Sequence, residues 1–96
     1  MQIDDIIWSN RIINKVASKH GVAVSEVEEV FYNRPKFRKA ENGKLNNEDL
    51  YFAYGRTDSG RYLVIMFIYK KNKDALIVTA RDMDLKERKR YAEKQG

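Results

Sequence analysis

Three apolar runs joined by very short loops constrain the fold of this chain more than any other feature. Leu50 to Arg56 and Arg61 to Tyr69 are rich in aromatic and aliphatic residues, and only Thr57 to Gly60 separates them. A loop of four residues joins antiparallel neighbours, because parallel strands need a long crossover. Lys71 to Asp74 is a second hairpin turn, and Ala75 to Ala80 is the following strand. The sequence therefore predicts three consecutive antiparallel strands.

A strand and two helices are predicted before these strands. Ile3 to Trp8 is short and β-prone. Ser9 can cap a helix, and Gly21 suits the left-handed position that ends it. A second helix is predicted to open at Ser25, with Glu28 completing a capping box. Apolar residues recur at helical spacing in both segments: Ile12, Ile13, Val16 and Ala17 in the first, and Val27, Val30 and Phe31 in the second.

The segment after the second helix is predicted to be an edge strand and a loop. Pro35 ends the helix because it disfavours helical geometry at the residue before it. Lys36 to Ala40 has the pattern of a short or edge strand. Glu41 to Asn47 is polar, and its Asn42-Gly43 pair is a strong turn signal, so we expect a loop there.

A charged helix is predicted to close the chain. Asp84 and Glu87 form a capping box, and the helix runs from Leu85 towards Lys94. The full order is β-α-α-β-β-β-β-α. Segregated helices and strands predict an α+β fold with a mostly antiparallel sheet, two N-terminal helices and one C-terminal helix. Residues 1–96 are predicted to form a single domain.

The composition excludes several kinds of site. The chain has no cysteine and one histidine, so disulfides and thiolate metal sites are excluded and a metal centre is not expected. Phosphate-loop and dinucleotide-binding fingerprints are missing, so no cofactor is predicted. No apolar run reaches about 18 residues, and the N-terminus carries Asp4 and Asp5 instead of a basic leader. We therefore expect a cytoplasmic protein with no membrane contact.

The positive charge is concentrated in the C-terminal two thirds of the chain. The net charge is +5, made up of −2 in residues 1–33, +3 in residues 34–61 and +4 in residues 62–96. Such a distribution attracts polyanions, nucleic acid first among them. A soluble, lysine-rich surface is the alternative that the charge leaves open.

Several side chains are candidates for chemistry on a phosphate. Histidine titrates near neutrality, so His20 is a candidate acid or base, although a helix-end histidine also suits the helix dipole. Arg56, Arg61 and Arg81 lie at strand ends, where arginines can converge on a phosphate or simply face solvent. Aromatic residues alternate along the strands, so one set must be core. The other set either stacks on bases or packs under a helix, and the second is favoured.

Three motifs together resemble the BrnT family of bacterial ribonuclease toxins. Lys19-His20-Gly21-Val22 followed by Glu26 to Phe31 resembles that family's helical pair. Gly55-Arg56-Thr57 with Gly60 to Val64 resembles its central hairpin. Thr79-Ala80-Arg81, followed by Glu87, Arg88 and Tyr91, resembles its closing strand and helix. The order and spacing match from about Trp8 to Tyr91, which is nearly the whole chain.

The resemblance implies a RelE-like ribonuclease fold and a type II toxin–antitoxin module that inhibits translation by cleaving RNA. It also implies a cognate antitoxin, commonly of the ribbon-helix-helix type (BrnA-like), through which the complex would bind DNA. The catalytic candidates are Lys19, His20, Arg61 and Arg81. The RNA-binding candidates are Arg56, Glu87, Arg88 and Tyr91.

The resemblance suggests a mechanism without a metal ion. RNA supplies its own nucleophile, the 2′-hydroxyl, so the protein needs only to position it and to stabilise charge. His20 or Lys19 would take the hydroxyl proton, and Arg61 and Arg81 would hold the phosphate. Leu50 and Leu76 stand where the family often carries arginine. The alternative is therefore a weakened homologue that binds an antitoxin or nucleic acid without cleaving RNA.

Overall fold

The observed elements follow the predicted order in an α+β fold. The computed structural model describes residues 1–45 and 48–93. In chain order the elements are β1 (Asp5–Ile7), α1 (Asn10–His20), α2 (Val24–Tyr32), β2 (Lys36–Leu45), β3 (Glu48–Arg56), β4 (Tyr62–Tyr69), β5 (Asp74–Asp82) and α3 (Leu85–Glu93). Apart from the loop before β3, the strand ends agree with the predictions to within two residues.

The strands form one sheet in the order β1-β5-β4-β3-β2. The pairs β2–β3, β3–β4 and β4–β5 are antiparallel, so the predicted hairpins are confirmed. β1 pairs with β5 in parallel, with Ile6 opposite Ala75. The first and last strands of the chain are therefore neighbours at one edge of the sheet.

The predicted ends of α1 are confirmed. The Ser9 hydroxyl accepts a hydrogen bond from the backbone N–H of Ile12, at 3.2 Å. Gly21 has a φ of 60°, and its N–H bonds to the carbonyl of Ala17. A glycine adopts this left-handed conformation without the steric cost that a Cβ would add.

The predicted start of α2 is wrong. The helix begins at Val24, so Ser25 lies inside it and the expected box with Glu28 does not form. Glu26 instead accepts a hydrogen bond from the N–H of Ala23, at 3.0 Å. Glu26 also receives the Arg61 guanidinium, a contact between distant segments that local sequence patterns do not reveal.

The predicted loop from Glu41 to Asn47 is shorter than expected. β2 continues to Leu45 and β3 begins at Glu48, with Leu45 opposite Glu48. The Asn42-Gly43 pair therefore lies in a strand and does not form the turn. Pairing with β3 supplies backbone hydrogen bonds after a register irregularity between Lys39 and Lys44, and these bonds override the local turn preference. Asn46 and Asn47 lie outside the described residues.

The main core lies between the two N-terminal helices and one face of the sheet. Val16 of α1 and Val30 of α2 are fully buried against Leu63, Ile65 and Phe67 of β4. α2 packs closely enough that a Cβ on Gly55 would lie 2.9 Å from the Val30 side chain. Three more aromatic rings surround Phe67: Phe31, Phe37 and Tyr51.

The opposite side of the sheet, called the open face below, is covered only in part. Successive strand residues point to opposite sides, so Val64 faces away from the main core. Met83, Tyr91 and Val64 form a second small cluster. The partly buried rings of Phe52, Tyr54 and Tyr62 pack around that cluster. As predicted, one aromatic set is core, and the other packs beside a helix.

Candidate functional site

A row of side chains crosses four strands on the open face. Lys36, Tyr54, Val64 and Arg81 are successive cross-strand partners on β2, β3, β4 and β5. Directly opposed residues in antiparallel strands share a face of the sheet. A basic residue therefore stands at each end of this row, one on the edge strand β2 and one on β5.

The start of α3 is fastened to Arg81. The capping box is confirmed, because Asp84 accepts from the N–H of Glu87 at 2.7 Å and Glu87 accepts from the N–H of Asp84 at 2.9 Å. The Glu87 carboxylate also receives two hydrogen bonds from the Arg81 guanidinium, at 2.7 and 2.9 Å. One carboxylate thus caps the helix and orients Arg81.

A cavity of about 310 Å³ lies between α3 and the edge of the sheet. We call it the α3 cleft. The residues that line it are Lys36, Phe37, Arg38, Tyr54, Asp84, Lys86, Glu87, Arg90 and Tyr91. Four of these are basic and two are acidic, so the cleft is positive overall. Its aromatic walls and cationic rim match the groups that bind single-stranded nucleic acid through bases and phosphates.

Two guanidinium groups stack on one tyrosine beside the α3 cleft. The Cζ atoms of Arg56 and Arg88 lie 4.9 and 4.3 Å from the ring centroid of Tyr62. Tyr62 in turn meets the Tyr91 ring edge to face, with centroids 5.9 Å apart. These cation–π contacts hold both guanidinium groups over the ring without using their N–H donors.

Arg61 lies in a separate group that joins α1, α2 and β5. Its Nε and Nη2 atoms donate to the two carboxylate oxygens of Asp82, at 2.7 and 3.0 Å. Nη1 donates to Glu26 and to the carbonyl of Gly21, and Nη2 donates to the carbonyl of His20. We call this group the Arg61 cluster. It ties the C-terminal end of α1 to the end of the sheet.

Arg61 and Arg81 differ in the number of N–H donors that remain free to bind a ligand. A guanidinium has five N–H donors. In the Arg61 cluster all five are directed at protein oxygens. Arg81 makes three hydrogen bonds, to Glu87 and to the carbonyl of Asp82, from Nη1 and Nη2 alone. Arg81 therefore retains N–H donors that have no partner among residues 1–45 and 48–93.

The structure separates the predicted site residues into two groups. Five of them lie together on the open face, around the α3 cleft: Arg56, Arg81, Glu87, Arg88 and Tyr91. Three lie at the end of α1: Lys19, His20 and Arg61. The groups meet at the end of β5, where Arg81 faces Glu87 and the adjacent Asp82 faces Arg61. Their roles remain predictions.

Sequence reasoning missed Lys36 and Arg38 in the cleft and Glu26 and Asp82 in the Arg61 cluster. Lys36 donates to the carbonyl of Tyr91 at 3.2 Å, and Arg38 donates to the Tyr54 hydroxyl at 3.0 Å. The alternation Lys-Phe-Arg contained the signal for the first pair, because it places both cations on one face of a strand. No local sequence pattern indicates that Glu26 and Asp82 contact Arg61.

Two carboxyl groups have pKa values below their ordinary range. Hydrogen bonds from Arg81 lower the pKa of Glu87, aided by the N–H of Asp84. Hydrogen bonds from Arg61 lower the pKa of Asp82, aided by the charges of Arg61 and His20. The same contacts raise the pKa of both arginines, so all four groups are charged at neutral pH.

Acid should therefore destabilise the fold. A carboxyl with a lowered pKa contributes stability in full above its unfolded pKa, and this is lost as pH falls through the folded pKa. We expect a constant melting temperature from about pH 7 to 5 and a steep fall below about pH 4. Thermal unfolding followed by circular dichroism between pH 7 and 3 measures this dependence of the melting temperature on pH. Glu87→Gln and Asp82→Asn should each flatten the curve, and an unchanged slope in both would contradict the assignment.

The described residues contain neither a metal-binding group of side chains nor a membrane-spanning helix. No three His, Asp or Glu side chains in residues 1–45 and 48–93 are grouped so as to hold a metal ion. None of the helices in the same ranges is long and apolar enough to cross a membrane.

Comparison with known proteins identifies the family. The sequence model of one protein family, described as the ribonuclease toxin BrnT of type II toxin–antitoxin systems, matches residues 8–87, which is most of the chain. The chain belongs to the BrnT family. The match includes every predicted site residue except Arg88 and Tyr91. No curated protein matches the chain closely enough to add a relative.

A solved structure has the same fold. The crystal structure of the Brucella abortus ribonuclease toxin BrnT is similar to this chain, with a TM-score of 0.66 at 15% sequence identity. The alignment covers 86% of this chain and 99% of the Brucella protein. The predicted resemblance to BrnT toxins is therefore confirmed.

Membership in the BrnT family assigns the chain to the ribonuclease toxins. A type II system pairs a toxin with an antitoxin, so an antitoxin is the implied partner and RNA the implied substrate. The family match favours this function over the alternative of a weakened binding homologue.

Proposed function

We propose that this BrnT toxin cleaves RNA at the α3 cleft without a metal ion. The observation that carries the proposal is the grouping of cations and tyrosines around one cavity, with Glu87 in its wall and Arg81 hydrogen-bonded to that Glu87. Lys86 and Arg90 on α3 face Lys36 and Arg38 across this cavity. Cations on opposite walls suit a strand whose phosphates run between them.

The nucleophile in this proposal is the 2′-hydroxyl of the RNA. A base removes its proton, the oxygen attacks the adjacent phosphorus to form a 2′,3′-cyclic phosphate, and the bond to the 5′ oxygen breaks as that oxygen takes a proton from water. His20 and Lys19 are the proposed bases. They lie outside the α3 cleft, at the end of α1, and the Arg61 cluster brings this end to Asp82, next to Arg81. Arg81 stabilises the charge that develops on the phosphate. Arg61 has its donors occupied and acts by holding the α1 end in place.

RNA recognition is assigned to the residues around Tyr62 and Tyr91. Arg56 and Arg88 are held against Tyr62 by stacking, so their N–H groups are pre-oriented to bind phosphate oxygens. Tyr91 supports these residues from below, because its buried ring packs edge to face against Tyr62 and lies under the Lys36 ammonium. Glu87 supports the site by orienting Arg81.

The proposed partner is a ribbon-helix-helix antitoxin, and DNA is bound only through the toxin–antitoxin complex. The proposed location is the cytoplasm. The support for both is the family assignment together with the predictions from the sequence. No cofactor and no metal enter the proposed reaction.

Purified toxin should cleave single-stranded RNA in the presence of EDTA. The measurement is gel analysis of a labelled RNA incubated with wild type, His20→Ala and Lys19→Ala. The variant that lacks the base should lose about 100-fold or more in rate, in line with removal of a general base. Arg11→Ala, an exposed change on the same helix, is the control. Cleavage abolished by EDTA and restored by a divalent cation would contradict the metal-free proposal.

A further inference from the structure

An apolar patch lies on the open face beyond the reach of α3. Leu50, Ile68 and Leu76 are direct cross-strand partners on β3, β4 and β5. Phe52 and Met66 form the neighbouring row. Ile68 is 5% exposed and forms the floor, while the residues around it are half-buried. We call these five residues the leucine patch.

Apart from Phe52, the leucine patch is not part of either hydrophobic core. The cluster under α3 is built on Val64, Met83 and Tyr91, and Phe52 lies at its margin. Among residues 1–45 and 48–93, neither cluster includes Leu50, Met66 or Leu76. α3 therefore covers the row of the open face that contains Val64. It does not cover the row that contains Ile68, so a partner can bind there.

The size of the patch selects a short segment over a second copy of the chain. Three strands at about 4.8 Å spacing and two rows at about 7 Å spacing give a footprint on the order of 200 Å². A stable protein dimer buries about 800 Å² on each partner. A helix of two to three turns, anchored by side chains at i, i+3 or i+4, and i+7, spans about 11 Å and fits this footprint.

Basic side chains border the leucine patch on two sides. Lys71 and Lys73 lie in the turn next to the Ile68 row, and Arg38 borders the Phe52 row. None of the three has an ion pair among the residues that the structure describes. Of the nearby carboxylates, Glu48 pairs with Lys70 at 2.6 Å, Asp49 pairs with Lys39 at 3.5 Å, and Asp74 accepts a hydrogen bond from the Asn72 side chain at 3.1 Å. A partner with acidic residues beside its apolar ones complements this rim.

We propose that the leucine patch receives a short amphipathic helix of the antitoxin, with acidic residues flanking its apolar face. The patch adjoins Arg38, which lines the α3 cleft, so chain that follows the docked helix passes over the cleft. The docked antitoxin then excludes RNA from the site. This proposal rests on the proposed function, because occlusion matters only if RNA enters the cleft.

A charge placed in the patch tests the docking. The probe is the antitoxin encoded in the same operon, co-purified with the toxin and then separated. Leu76→Glu should weaken antitoxin binding about 100-fold, as loss of a central interface residue does, while leaving RNA cleavage unchanged. Tyr32→Glu is the matched control, because Tyr32 is 89% exposed on α2, away from the open face. Equal affinity of wild type and Leu76→Glu would overturn the proposal.

Two further measurements keep the test decisive if Leu76→Glu fails to fold. Lys71→Glu combined with Lys73→Glu alters only exposed turn residues and should weaken binding about 10-fold, with a reduced dependence on salt. In ¹³C-methyl methionine spectra, the Met66 signal should shift on antitoxin addition while the Met1 signal does not. An unshifted Met66, or a wild-type dimer that Leu76→Glu dissociates, would overturn the antitoxin assignment.

Failure of the function and failure of the docking are distinguishable. If wild type does not cleave RNA but Met66 shifts and Leu76→Glu weakens binding, the cleavage proposal is wrong and the docking surface stands. If wild type cleaves RNA and Leu76→Glu is still fully inhibited by the antitoxin, the docking surface is wrong and the cleavage proposal stands.

Discussion

Replacing Arg81 with alanine should lower the rate of RNA cleavage by about 100- to 1000-fold, the loss seen when one preorganised donor to a developing oxyanion is removed. Arg81 is the central arginine that retains N–H donors, and Glu87 fixes its orientation through two hydrogen bonds. The effect should fall on the maximal rate more than on the substrate concentration at half saturation, since charge on the phosphate grows in the transition state. Single-turnover cleavage of a labelled RNA in EDTA measures it.

Two further variants, Glu87→Gln and Arg11→Ala, show whether a loss of cleavage comes from a lost catalytic contact or from a loss of folding. Glu87→Gln leaves Arg81 charged but weakens its orientation, so cleavage should fall about 10-fold. Arg11→Ala removes an arginine from the exposed side of α1 and should change neither rate nor stability. Circular dichroism shows whether each variant is folded. A folded Arg81→Ala that cleaves RNA at the wild-type rate would remove Arg81 from the mechanism.

Replacing Arg61 with alanine should cost about 2–4 kcal/mol of folding free energy. The change leaves Glu26 and Asp82 without their cation and strips hydrogen bonds from the carbonyls of His20 and Gly21. Breaking a buried pair costs about 3–5 kcal/mol, and the lower figure reflects screening by solvent, because the Arg61 and Asp82 side chains are 28% and 59% exposed. Urea denaturation monitored by tryptophan fluorescence gives the difference.

A second readout tests whether Arg61 also positions the α1 end. Arg61→Lys retains the charge but has no planar fork for Asp82 and the two carbonyls. If positioning matters, this variant should cleave slowly under conditions where it is fully folded, and its pH–rate profile should differ from that of wild type. A folded Arg61→Lys with normal cleavage would limit the Arg61 cluster to stability.

The parts of the fold that the sequence predicted are those with local causes. Ser9, Gly21 and the Asp84–Glu87 box act within one helical turn, and the hairpin after Arg56 is set by its loop length. The Asn42-Gly43 turn prediction failed because strand pairing, which depends on residues several positions further along, outweighed a dipeptide preference.

The candidate site was predictable only where alternation along a strand carried the information. Arg56 and Arg81 stand out as strand-end arginines, and their positions on the open face follow from the strand pattern. Glu26 and Asp82 were not predictable, because they are brought to Arg61 by the packing of α2 and β5 around β4. The distinction between a saturated Arg61 and an available Arg81 likewise required the folded geometry.

The parallel pairing of β1 with β5 has a consequence for how the toxin is made. The N-terminal strand can take its place only after residues 74–82 exist, and the same stretch supplies Arg81 and Asp82. Contacts between such distant segments form late, since the intervening chain must be ordered first. A nascent or prematurely terminated product that ends before β5 therefore lacks one edge of the sheet and the proposed phosphate-binding arginine. We expect such a fragment to be harmless to the cell that synthesises it.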